Sequence, residues 1–146
     1  RPAGWTSADA AGLPILPGLL RWSEVRSGAV RHAIRFTAPT TAPRYLWPAR
    51  HHAGSDRSAP PMGARFRLNA DFDTSGYSKP TRVVLTAMKR YGLVLADNGS
   101  PWYFQGERTR AWPARLIEEL KSVPGSAFDV VDTSGMRVEA GSARVR

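Results

Sequence analysis

The sequence contains no cysteine. Disulfides, thiol catalysis, thiolate-bound zinc and iron–sulfur clusters are therefore excluded, although the compartment is not fixed by that absence. No apolar run reaches the roughly 18 residues of a membrane-spanning helix, so no membrane span is expected. Lysine occurs only at Lys79, Lys89 and Lys121, and basic residues nowhere form a block that would read as a nucleic-acid tail. Gly-rich phosphate loops and serine-nucleophile elbows are also missing, which disfavours nucleotide-driven chemistry. No motif requires a cofactor.

What is present is a chain of 146 residues, 42 % hydrophobic and 23 % charged, a size and composition able to bury a core in one domain. Lys and Arg number 21 against 12 Asp and Glu, a formal charge of +9. Such a surface attracts polyanions, and its arginines suit bidentate contact with carboxylate or phosphate.

Residues 1–18, broken by Pro2, Gly4, Gly12, Pro14, Pro17 and Gly18, read as an extended entry segment with Leu13, Ile15 and Leu16 tucked beneath a globular region at 19–134. Leu19 to Ser27 offers about two helical turns, stopped by Gly28. Residues 29–37 alternate as a half-buried strand with Val30, His32, Ile34 and Phe36 inward and Arg31, Ala33, Arg35 and Thr37 outward. Tyr45 to Trp47 is a short strand, and Arg65 to Phe72 a longer one. Ser78, Pro80 and Gly92 bracket a helix whose apolar face carries Val83, Val84, Ala87, Met88 and Tyr91. The Asn98-Gly99 step predicts a hairpin joining 93–96 to 102–105. A helix at 113–122 burying Leu116, Ile117 and Leu120, a strand at 127–132, and a flexible basic tail at 135–146 complete the chain. The expected fold is a β-rich α+β domain, an antiparallel sheet of sandwich-like or jelly-roll-like form with two or three short helices.

Candidate chemistry centres on Arg, His and Tyr. Arg31, Arg35 and Arg50 can neutralise a substrate carboxylate, while His32 or His51 moves a proton, the pairing that uronate chemistry needs. The same arginines serve equally as a passive anion-binding surface. Asp97 and Asn98 add a carboxylate and an amide on a sharp turn, and Tyr45, Trp47, Trp102 and Tyr103 offer rings on which sugars stack. We therefore take His32, Arg50, His51 and Asp97 as candidate catalytic residues, and Arg31, Arg35, Tyr45, Trp47, Asn98, Trp102 and Tyr103 as candidate substrate contacts. His32 with His51 or His52, aided by Asp71 or Asp97, is the one conceivable metal set, yet no spacing matches a zinc signature. A helix at 78–91 followed by a hairpin suggests a winged helix superficially, but the preceding strand argues against a nucleic-acid-binding domain.

Several stretches carry a resemblance. Gly12-Leu13-Pro14-Ile15-Leu16-Pro17-Gly18-Leu19, Arg31-His32-Ala33, Trp47-Pro48-Ala49-Arg50-His51, Pro60-Pro61-Met62-Gly63, Lys89-Arg90-Tyr91-Gly92 and Ala96-Asp97-Asn98-Gly99-Ser100 are, in that order, similar to an uncharacterised family of exported proteins of actinobacteria and soil bacteria. The resemblance spans roughly 12 to 133; the loop at 52–60 is shorter, and 106–112 less acidic, than in that family. It implies export to the cell envelope or beyond, and it implies an N-terminal half of the same precursor as a partner. It implies no mechanism. Together with the Arg/His/Tyr set it points to a module that acts on or binds polysaccharide, acidic glycans in particular. The non-catalytic alternative is an envelope or carbohydrate-binding structural domain.

Overall fold

The structure is a computed structural model that describes residues 4–139 and 144. Along the chain run α1 (Trp22–Ser27), β1 (Ile34–Ala38), β2 (Arg65–Leu68), α2 (Lys79–Arg90), β3 (Leu93–Asn98), β4 (Tyr103–Phe104), α3 (Ala114–Lys121) and β5 (Phe128–Val131). Single turns of 3-10 helix lie at Leu16–Gly18, Gly125–Ala127 and Ser134–Met136. The fold is α+β, with one five-stranded sheet in the order β4-β1-β3-β2-β5. Its central strands β1 and β3 are parallel, and every other pairing is antiparallel. The sheet is thus mixed rather than antiparallel as expected, and no second sheet is found among the described residues. Alternation along a strand records which face is apolar but not which strand lies beside it.

The expected hairpin at Asn98-Gly99 is a different object. β3 and β4 do not pair; they flank β1 on opposite edges. The turn carries the chain over the end of β1, where Gly99 N donates to Ala38 O (3.1 Å) and Thr37 Oγ1 donates to Ser100 O (2.7 Å). Trp102, at φ 57°, then drops onto the sheet and stacks on Phe36 and Phe128, with both centroid separations 5.1 Å. A turn sequence fixes a reversal of direction. Packing of the residue that follows decides which edge the chain joins.

β1 is buried on both faces from Ile34 to Thr37, so the half-buried strand expected at 29–37 is also corrected. The strand begins two residues after His32, and the segment before it covers the face expected to be wet. Arg35, expected outward as a substrate contact, is 1 % exposed. Its guanidinium meets Asp9 and donates from Nε to Gln105 Oε1 (2.6 Å), while its aliphatic stem packs against Gly18, where a Cβ would sit 2.5 Å from Arg35 Cγ. The entry segment is therefore held by Asp9 and by buried Leu13, while Ile15 and Leu16 are exposed, contrary to expectation. Ala11 N bonds to Ala96 O, extending this attachment to β3.

α2 matches its expected limits, and Gly92 follows it at φ 74°. Val84, Ala87 and Met88 are buried as expected, joined by Thr81 and Leu85, whereas Val83 and Tyr91 are half-buried. In α3, Leu116 and Leu120 are buried, but Ile117 is 42 % exposed. β2 ends at Leu68, four residues earlier than expected, because the chain turns over residues 69–72, where Phe72 N donates to Asn69 O (3.1 Å). Residues 1–3 of the entry segment, and 140–143, 145 and 146 of the expected tail, lie outside the described residues.

Candidate functional site

The candidate catalytic residues stand at two ends of the sheet. His32 precedes the start of β1, with Nδ1 at 2.9 Å from Ala33 O and Nε2 at 3.3 Å from Glu24 Oε2. Asp97 pairs in register with Thr37 at the other end of β1. Ile34 to Thr37 alone spans about 10 Å of strand. Arg50 and His51 belong to the Asp97 end: both backbone amides donate to Ala11 O, whose own amide is bonded to Ala96 O. His51 Nε2 lies 2.8 Å from Thr6 Oγ1. Gly12 is needed here, since its φ is 66° and a Cβ would come within 2.4 Å of Thr6 Oγ1 and 2.9 Å of Arg50 Cβ. Asp97 Oδ1 accepts the amide of Asn98, and Asn98 Nδ2 donates to Thr41 Oγ1, leaving its buried Oδ1 unpaired. Arg50, His51, Asp97 and Asn98 thus share a neighbourhood that excludes His32. Among the described residues no three His, Asp or Glu side chains converge on a common point.

The candidate substrate contacts are dispersed further. Trp102 is a core ring within the aromatic cluster of Phe36, Phe66 and Phe128. Tyr103 on β4 is 63 % exposed, and Tyr45 is 48 % exposed in the long connection between β1 and β2, where it bridges to Met62. Trp47 lies two residues beyond Tyr45, half-buried. Arg35 is the buried partner of Asp9.

Arg31 alone of the candidates joins a concentrated charge. An open groove of about 660 Å³ runs between the end of α1 and α2, and its lining includes Arg31, Lys79, Arg82 and Arg90. On α2 the residues Lys79, Arg82, Thr86 and Arg90 recur at intervals of three and four, which aligns them along one face. At 1.5 Å per residue that stripe is about 16 Å long. Among the described residues none of the four cations has a carboxylate within ion-pair distance. Val30, Val83 and Ala87 form an apolar floor, and the Arg90 guanidinium lies 5.5 Å from the Tyr91 ring centroid. Like charges held together without counterions repel one another, so an anion placed between them is stabilised.

Lys79, Arg82 and Arg90 were absent from the sequence-based site. Their signal was their spacing on a well-defined helix, but the approach of Arg31 from another part of the chain has no counterpart in sequence. Comparison with protein-family models, with curated proteins and with solved structures finds no significant match to this chain.

Proposed function

We propose that this chain is a non-catalytic binding module for acidic polysaccharide, working in the cell envelope or outside the cell, and that the groove between α1 and α2 holds the glycan. The observation that carries the reading is the set of four cations, Arg31, Lys79, Arg82 and Arg90, lining one groove with no carboxylate partner among the described residues. The arginine forks match carboxylates in geometry, and the floor of Val30, Val83 and Ala87 suits the apolar face of a sugar ring. Two considerations favour a glycan over a nucleic acid. Among the described residues the groove has a single aromatic residue, Tyr91, already in contact with Arg90, which is no platform for stacking successive bases. The resemblance to exported proteins also favours a ligand found outside the cell. No catalytic step belongs to this reading, because the candidate acid and base groups lie away from the groove, apart from His32 beside Arg31.

The test is calorimetric titration of an oligogalacturonate and of duplex DNA into the intact chain at low and high salt. The expected result is saturable glycan binding, weakened by salt, tighter than DNA, and at least tenfold weaker in the Arg82→Glu/Arg90→Glu variant. Unchanged affinity in that variant would overturn the assignment of the groove. Tighter and steeply salt-dependent DNA binding would replace the glycan reading with a nucleic-acid one.

A further inference from the structure

A second groove, of about 630 Å³, runs between α3 and the strands β4 and β5. Its walls are apolar: Leu20, Phe104, Leu116, Ile117, Val123 and Phe128 supply much of the lining. Among the described residues the charged side chains of the lining are Glu107 and Lys121, and both are engaged. Glu107 Oε1 accepts the backbone amide of Trp22 (2.7 Å), and Lys121 Nζ donates to Glu118 Oε1 (2.9 Å). A hydroxyl-rich sugar would leave most of its polar groups unpaired here, which is costly. An aliphatic chain would not. The volume falls in the range of small-molecule sites, which are largely apolar with a few polar groups at defined places.

Positive charge stands beside the groove, on a turn that borders it. The turn from Gly106 to Trp112 borders the groove and is fixed at both ends, by the Glu107–Trp22 contact and by Trp112 Nε1 donating to Glu107 O (2.9 Å). Trp112 also packs edge-on against Trp22 at 5.6 Å. Between these anchors the turn carries Arg108 and Arg110, both exposed. Among the described residues neither has a carboxylate within ion-pair distance. The groove therefore joins an apolar channel to a positively charged border, complementary to a ligand with an apolar body and one anionic end.

We infer that this groove binds a free long-chain carboxylic acid. The alkyl chain lies along Phe104, Leu116, Ile117 and Phe128, and the carboxylate meets Arg108 and Arg110. The site is separate from the cationic groove between α1 and α2, and the inference does not depend on glycan binding there.

Decanoate and decanol, as monomers, serve as probes, with binding followed by calorimetry and tryptophan fluorescence. Decanoate is expected to bind saturably with one site per chain, and more tightly than decanol. Ile117→Asp, at a position already partly exposed, should weaken both probes more than tenfold at an unchanged melting temperature. Arg108→Ser/Arg110→Ser should weaken decanoate at least fivefold and leave decanol unaffected. Absence of saturable binding would overturn the inference, as would equal affinity for the two probes, indifference to Ile117→Asp, or indifference of decanoate to the arginine changes. Binding seen with anionic vesicles but not with monomeric decanoate would overturn it in favour of a membrane surface. Oligogalacturonate titration of Ile117→Asp is the control for the other groove and should match the unaltered chain.

Discussion

Glu119 of α3 caps α2 from outside that helix, its Oε2 accepting from Ser78 Oγ at 2.6 Å and its two carboxylate oxygens lying 3.1 Å from the Ser78 amide. Thr81 Oγ1 donates to the same Oε2, and Arg115 Nε donates to Oε1 at 2.7 Å. The serine at the N-cap position makes no side-chain bond to the helix backbone, so a carboxylate from a neighbouring helix faces the positive end of the α2 dipole instead. These bonds couple α3 to α2, and hence to the wall of the cationic groove.

Glu119→Gln should therefore lower stability and change its pH dependence. Hydrogen bonds from the Ser78 and Thr81 hydroxyls, followed by Arg115 and the Ser78 amide, hold the Glu119 carboxyl down at about 2. A carboxyl depressed in the folded state contributes stability above its ordinary value of 4.5 and loses it as pH falls from there toward 2. Melting temperature against pH should fall more steeply across that window in the parent chain than in Glu119→Gln. Parallel curves would show that the carboxylate charge does not matter.

Asp9 and Arg35 make the one fully buried ion pair among the described residues, 2.5 Å apart with side chains 3 % and 2 % exposed. The two charges meet off the line of a hydrogen bond, while Asp9 Oδ1 accepts the amide of Leu13 at 2.8 Å. Replacing Asp9 by Asn strands a buried guanidinium, and the expected cost is about 3–5 kcal/mol. The double change Asp9→Leu/Arg35→Met should cost less than Asp9→Asn alone, because it removes both charges. Urea unfolding of the double variant beside Asp9→Leu and Arg35→Met singly gives the coupling directly.

Gly28 and Gly92 end α1 and α2 in the same left-handed conformation, at φ 89° and 74°, yet they face different surroundings. A Cβ on Gly28 meets nothing within 4 Å, whereas one on Gly92 would sit 2.4 Å from Phe66 O. Gly28→Ala should cost about 1–2 kcal/mol from backbone conformation alone. Gly92→Ala should cost clearly more, since β2 must also shift. Equal losses in chemical denaturation would show that β2 yields freely.

The parts of the fold legible in sequence were those set by neighbours along the chain. α2 could be read because Ser78, Pro80, the periodicity of Val84 and Met88, and Gly92 all lie within one short stretch. The α+β class followed from counting such elements. Arg35 could not be read. Its alternation marked it as outward, but the covering of that face by Asp9 and Gly18 depends on a segment some twenty residues away. The Asn98-Gly99 turn was recognised, while the edge of β1 that it serves was not, because Trp102 selects that edge through Phe36 and Phe128. The candidate site divided for a similar reason: Arg31-His32 and Arg50-His51 look alike in sequence, but β1 sends them to opposite ends of the sheet.

That division gives a last prediction, which separates a groove-bound glycan from one held by the histidine at the other end of the sheet. Arg31 lines the cationic groove, whereas His51 lies beside Thr6 at the Asp97 end of β1. Arg31→Glu should weaken oligogalacturonate binding severalfold, through lost attraction and added repulsion, while leaving the fold intact at an exposed position. His51→Ala should leave the affinity unchanged and cost about 1 kcal/mol or less in stability, the worth of one partly solvated hydrogen bond. The opposite pattern, with binding lost in His51→Ala and kept in Arg31→Glu, would move the ligand to Arg50, His51, Asp97 and the unpaired Asn98 Oδ1. In that case the α1–α2 groove would be only a charged surface.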